Sequence, residues 1–257
     1  MSSASDRPQP RRVFLLAEDV PVLLPRFFEA VLDRTPDGTD VVGAALAAPL
    51  PPPHSGLRHH LRLAGPGRWP SLAAYRARSM LRREPRSVAR VLADHGVTVE
   101  RIASPNDPAF VERLRGLRPD VAFNAAARLL KAEVLGVPRQ GWMNRHAGKL
   151  PDYRGVSPIW WALYNGETAV TVTFHTMAEA VDGGRVVWEH EEPVGDRDSV
   201  VAMYERLLAA AARGFWDALA ALERGEGRPV DLATGAYYRL PDDEAVKEFR
   251  RRGLRYV

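Results

Sequence analysis

No cysteine occurs in the 257 residues. That excludes a disulfide framework, thiolate zinc sites and a cysteine nucleophile. Lysine is nearly missing too: only Lys131, Lys149 and Lys247 are present, so the formal charge of +4 and the pI of about 9.6 are carried by arginine. Acidic residues are interspersed almost as densely, and a nucleic-acid surface is not favoured. No apolar run approaches the roughly 18 residues of a membrane span. The segment Met1 to Arg12 is polar, with Pro8 and Pro10, and lacks the apolar centre of a signal peptide. A soluble, cytoplasmic protein without a membrane partner is expected.

What is present points to a packed globule, with apolar residues at 46%. Val13 to Ala17 is a short apolar run of the kind that forms a buried parallel strand. Leu24, Phe27, Phe28 and Val31 follow at helical spacing, with Pro25 suited to a first turn. Further strands are expected at 41–46, 97–102, 120–124, 142–144, 169–175 and 185–192, the last two pairing with each other. Helices are expected at 72–92 (broken at Pro85), 108–117, 158–165, 199–224 and 242–252. The Pro- and Gly-rich stretch 50–70 reads as a loop. Alternating strands and helices predict an α/β protein with a mostly parallel, helix-flanked, Rossmann-like twisted sheet. The expected division is a poorly ordered 1–11, a main domain at 12–225 and an appendage at 226–257.

The chemistry concentrates in two segments. In Asn144-Arg145-His146, strand residues two apart share a face, so a carboxamide and an imidazole can reach one carbonyl. Val181-Asp182-Gly183-Gly184 adds a carboxylate before two glycines, which taken alone reads as a turn aspartate. A carboxamide can hold a developing oxyanion, an imidazole can move a proton near neutral pH, and a carboxylate can orient it. Together they form a set suited to acyl transfer onto an amine.

The first segment continues as Leu150-Pro151-Asp152-Tyr153-Arg154-Gly155, Pro158 and Trp161-Ala162-Leu163-Tyr164-Asn165-Gly166-Glu167. This ordered run resembles the signature of the transferases that use 10-formyltetrahydrofolate. The strand Val170-Thr171-Val172 and the Asp182 loop resemble the family's second motif, and the likeness spans about Arg12 to Glu192. It implies 10-formyltetrahydrofolate as co-substrate, no metal, and Asn144, His146 and Asp182 as catalytic residues. Asn144 and a protonated His146 would serve the formyl oxygen, with Asp182 holding His146 in its cationic form. The segment Ala126-Ala127-Arg128-Leu129-Leu130 resembles the loop whose main chain holds the pterin ring. Arg128, Leu129 and Leu130, with His175, Val181 and Gly183, are therefore the expected folate contacts, while Asn124 has no assigned role.

Acceptor recognition is expected from residues outside the shared motifs: Glu18, Tyr75, Arg76, Trp160 and Tyr237. Leu16-Ala17-Glu18-Asp19-Val20-Pro21 has no glycine to bring main-chain amides to a phosphate, unlike the family's purine-pathway enzymes. The expected activity is N-formylation of a small amine: an amino-sugar nucleotide, an amino acid or a hydroxylamine. The alternatives are hydrolysis of 10-formyltetrahydrofolate on the same fold and a methionyl-tRNA formyltransferase-like enzyme. The first twelve residues are too few for a hydrolase's extra N-terminal module, and the chain is expected to be too short for the barrel of the tRNA enzyme. The expected partner is a small-molecule amine, and assembly as a homodimer is allowed.

Overall fold

The computed structural model describes residues 9–20, 23–48, 57–81 and 87–257. The expectation of disorder at 1–11 falls mostly on residues 1–8, outside that range, and Arg11 already belongs to the first strand.

Strand β1 (Arg11–Glu18) leads through helix α1 (Leu23–Leu32) to β2 (Thr39–Ala47). Helices α2 (Leu57–Ala64), α3 (Trp69–Leu81) and α4 (Val88–Asp94) come next, with a 3-10 turn at Pro66–Arg68 between the first two. Then come β3 (Val99–Ile102), α5 (Pro108–Leu117), β4 (Val121–Asn124) and the short α6 (Ala132–Leu135). The first motif segment and the strand of the second occupy β5 (Trp142–His146), β6 (Tyr153–Gly155), α7 (Pro158–Asn165) and β7 (Ala169–Thr176). The chain ends through β8 (Arg185–Pro193), α8 (Val200–Glu223), β9 (Arg228–Pro229), β10 (Ala236–Tyr238) and α9 (Asp243–Arg251).

The main sheet has the order β3-β2-β1-β4-β5-β7-β8-β9. From β3 to β5 all pairings are parallel, and from β5 onward they are antiparallel. The parallel strands are covered on both faces, which is why Val13 to Ala17 can be apolar without interruption and no more than 1% exposed. One face packs on α1, α4 and α8 around an aromatic cluster in which Phe123 and Phe215 meet edge to face at 4.9 Å. The other packs on α5 through Phe14, Phe110 and Trp142. The strand order reverses between β1 and β4, whose carboxyl ends open the crevice where such sheets take ligands.

The stretch 50–70 differs from the expected loop. Residues 49–56 lie outside the described range, but 57–64 is a helix and α3 begins at Trp69. Proline and glycine here punctuate two helices, because distant partners stabilise the segment: His60 Nδ1 meets the Tyr256 hydroxyl at 2.7 Å, and Arg62 donates to the Pro241 carbonyl at 2.7 Å. The helical stretch expected at 72–92 with a break at Pro85 is present as α3 and α4, on either side of that position; Pro85 itself lies outside the described residues.

Residues 226–257 are woven into the rest. β9 borders β8, β10 pairs with β6, and Phe249 of α9 stacks on Trp160 at 4.6 Å. The carbonyls of Arg255 and Tyr256 accept the Val200 and Val201 amides, capping the first turn of α8. Ser199 adds its own cap to the Ala202 amide.

Candidate active site

Asn144 and His146 stand at the carboxyl end of β5 and, being two residues apart, share a face of the sheet. β7 runs antiparallel beside them, with Asn144 opposite His175 and His146 opposite Thr173. After β7 the chain turns back at once. Asp182 adopts φ 52°, a left-handed conformation that Asp tolerates better than most residues. Gly184 follows at φ 92°, where a Cβ would collide with the Thr176 carbonyl oxygen, so the two glycines allow the loop to fold against the strand. The Asp182 carboxylate arrives 3.5 Å from His146 Nδ1 and 3.9 Å from His175 Nε2.

Each member is held by named partners. Asp182 Oδ2 accepts the Gly155 amide at 2.6 Å, and Arg154 donates to the Val181 carbonyl through Nε at 3.3 Å and through a terminal nitrogen at 3.2 Å. His146 Nε2 lies 2.6 Å from the Tyr153 carbonyl, so this nitrogen carries a proton and Nδ1 faces the acid. His175 Nδ1 donates to the Thr176 and Gly183 carbonyls at 2.9 and 3.0 Å, which leaves Nε2 to accept from the Asn144 Nδ2 at 3.1 Å. Asn144 Oδ1 takes a hydrogen bond from Asn124 at 3.3 Å. Three polar side chains from the two motifs thus meet in one patch, with His146 buried and Asn144 and Asp182 partly open.

His175 is 2% exposed, and burial, reinforced by a neighbouring His146 charge, lowers its pKa against the pull of Asp182 and the two carbonyls. A folded pKa below the unfolded 6.5 means that acid favours the unfolded chain, which takes the proton more readily. The stability His175 contributes is therefore present above about pH 6.5 and is lost as the pH falls below it. Measured by denaturant unfolding, the stability difference between the wild type and His175→Asn should narrow from pH 7.5 to 5.5. A constant difference would contradict this account.

Gly155 sits at φ 94° in β6, where a Cβ would run into the Tyr238 carbonyl oxygen and the Tyr237 ring. Gly155→Ala should force β10 away from β6 and pull the amide from Asp182, lowering catalytic rate and melting temperature together. Unchanged values for both in a rate assay and a thermal melt would refute the steric argument.

The expected folate loop lies beside this patch at the carboxyl end of β4. The amides of Ala125, Ala126, Ala127 and Arg128 are bonded to Leu16, Asn124, Glu18 and Ala126. Among the described residues, no hydrogen bond engages the Leu129 or Leu130 amides. With Leu129 70% exposed and Leu130 buried in the core, this short edge suits a flat heterocycle bearing donors and acceptors. Arg128 reaches to the Ala48 carbonyl. Val181 and Gly183 present their carbonyls to Arg154 and His175.

Of the residues expected to recognise the acceptor, Glu18 ends β1 at the crevice, and burial raises its carboxyl pKa against the Ala127 amide and Arg128. Tyr237 is exposed beside the Asp182 loop, its ring 5.8 Å from the Arg154 guanidinium. Tyr75 and Arg76 lie on α3, where the Tyr75 hydroxyl is committed to Glu205 of α8 at 3.0 Å. Trp160 must be corrected: it is 1% exposed and packed between Tyr164 and Phe249, so it belongs to the core and cannot line an acceptor pocket. Sequence reasoning missed the Tyr153 carbonyl and the Gly155 amide because main-chain groups leave no residue-type signal. Asn124 was visible but unassigned.

Among the described residues no helix is long and apolar enough to cross a membrane. Three solved structures share the fold. A glycinamide ribonucleotide transformylase from Symbiobacterium toebii is 19% identical, with a TM-score of 0.62 over 90% of this chain and 100% of its own. A sugar N-formyltransferase from a Shewanella species is 14% identical, with a TM-score of 0.55 over 93% of this chain and 87% of its own. A Helicobacter canadensis N-formyltransferase, solved with folinic acid and dTDP-3-aminofucose, is 14% identical, with a TM-score of 0.58 over 94% and 80%. The formyl transferase family model matches residues 75–219, more than half of the sequence and both motif segments, and the chain therefore belongs to the formyl transferase family.

Proposed function

We propose that this enzyme moves the formyl group of 10-formyltetrahydrofolate onto the amine of a small-molecule acceptor. The observation that carries the reading is the convergence of the Asn144 carboxamide, the His146 imidazole and the Asp182 carboxylate at the ends of β5 and β7. The neighbour solved with folinic acid supports a folate donor. In this reading the main-chain edge at Leu129 and Leu130 takes the pterin ring. Asn144 keeps one amide proton beyond the one given to His175, and that proton meets the formyl oxygen as charge develops on it. His146 donates to the same oxygen by exchanging its Tyr153 carbonyl partner, while Asp182 balances the imidazolium. As the acceptor nitrogen bonds to the formyl carbon the N10–carbon bond breaks, and the amine's proton passes through the His146–Asp182 pair to N10 of the departing tetrahydrofolate.

Support for a small acceptor comes from the carboxyl end of β1. There Glu18 and Asp19 stand in place of a glycine-rich phosphate loop, and Arg101 pairs with Asp19 at 2.9 Å. The amine of an amino-sugar nucleotide, an amino acid or a hydroxylamine fits such a donor-seeking edge better than a phosphate docked directly on it. A cytoplasmic location belongs to the same proposal. The test is incubation with 10-formyltetrahydrofolate and a panel of such amines, read by mass for a gain of one formyl group. Release of formate at the same rate with and without every amine would replace this reading by hydrolysis.

A further inference from the structure

Glu18, Asn124, Asn144 and His175 come from four neighbouring strands and sit on the same face of the sheet, continuing the rows that inside the core are Phe14, Leu16 and Ala122. Asn124 is the member of this row that the formyl-transfer reading does not use. It is 2% exposed and ends an otherwise apolar strand, Val121-Ala122-Phe123.

A carboxamide at the end of a side chain has two nearly equivalent orientations, since its last torsion is broad and two-fold. Only one of them is useful at Asn144, the one that turns the amide protons toward the reacting oxygen. The hydrogen bonds around it remove the ambiguity. At one end, the Thr176 and Gly183 carbonyls require a proton on His175 Nδ1, so His175 Nε2 accepts and Asn144 must present nitrogen to it. At the other end, the Ala126 amide donates to Asn124 Oδ1 at 3.0 Å, so Asn124 must turn its own nitrogen toward Asn144 Oδ1. The chain of bonds has one polarity from end to end, and main-chain groups fix it at both ends. It also ties the carboxamide to the loop that continues into Leu129 and Leu130.

We propose that Asn124 is a positioning residue for formyl transfer: it locks the Asn144 carboxamide in its donating orientation and couples it to the folate loop. The inference rests on the functional reading above for its kinetic consequence, but not for its geometry.

Asn124→Asp separates the two jobs. The carboxylate still accepts from the Ala126 amide but has no proton for Asn144 Oδ1, so the Asn144 carboxamide turns over and presents oxygen to His175. Formyl-transfer kcat should fall about 10²-fold, the cost of losing one oxyanion donor, while KM for 10-formyltetrahydrofolate stays within about twofold. In an Asn144→Ala background the same substitution should cost nothing further, a strong coupling in the double-mutant cycle. A residue that only fills space would give additive losses. The second readout needs no turnover. In ¹⁵N spectra, His175 Nε2 in Asn124→Asp should gain a proton from solvent while Nδ1 keeps its own, moving to the protonated region, because the Asn144 oxygen, Asp182 and the added carboxylate offset the burial that disfavours the charge. Asn124→Ala serves the same cycle if the aspartate variant does not fold; there kcat should fall several-fold, and only when Asn144 is present.

A kcat within twofold of wild type in the folded Asp variant, additive losses, or an unmoved His175 Nε2 signal would each overturn the proposal. Failure of the wild type to formylate any amine would defeat the functional reading alone, since the His175 signal still decides the positioning.

Discussion

Asp182→Asn should leave binding of 10-formyltetrahydrofolate within a few-fold of wild type and lower formyl transfer by about 10²–10⁴, the range that positioned acid–base groups supply. The reason lies in the two oxygens of this side chain. Oδ2 takes the Gly155 amide at 2.6 Å and can be replaced by the amide oxygen of asparagine. Oδ1 faces His146 Nδ1 at 3.5 Å and His175 Nε2 at 3.9 Å, and here only a carboxylate offers charge to an imidazolium. Asparagine at this position puts an N–H₂ against His146 and withdraws the counter-charge, while its shape keeps the left-handed turn at φ 52°. Fold and folate slot survive, and the proton transfer does not. Turnover near the wild-type rate, measured with the best amine acceptor, would remove Asp182 from the mechanism.

The largest effect on stability is expected at Trp160. Its ring is stacked on Phe249 at 4.6 Å with an interplanar angle of 19° and on Tyr164 at 5.2 Å with 14°, and Trp161 meets it edge-on at 4.8 Å. Trp160→Ala should cost about 3–5 kcal/mol, as buried Trp and Phe truncations do. For a chain of this size that corresponds to a melting temperature lower by roughly 6–20 °C. The indole Nε1 is buried without a hydrogen-bond partner among the described residues, so Trp160→Phe removes an unsatisfied N–H along with the volume and should cost less than half as much. Acceptor KM in the folded Trp160→Phe protein should match wild type. A raised acceptor KM with unchanged melting would restore Trp160 to the binding pocket.

The contrast between Trp160 and Asn124 shows where the sequence could be read and where it could not. The helices at 108–117 and 158–165 coincide with their expected limits, because proline marks each start and a residue or glycine in left-handed conformation marks each end. That Asn144, His146 and Asp182 would meet was legible because the two motifs carry them as residue types in a fixed order. The helix at 57–64 was not, since its partners, Tyr256 and Pro241, lie 196 and 179 residues away in the chain. Trp160 was misread for the complementary reason: a tryptophan inside a motif can serve the core as readily as a ligand, and only packing decides. The Asn124 bonds became visible only once β4 and β5 lay side by side.

The three-residue ladder between β6 and β10 has one more consequence. The strand that grips the acid is itself gripped by a segment some eighty residues further on, so the far end of the polypeptide works as a brace on the reaction centre. Loosening that brace, by a substitution or a pull far from any bound molecule, would be felt as slower chemistry with the donor still in place.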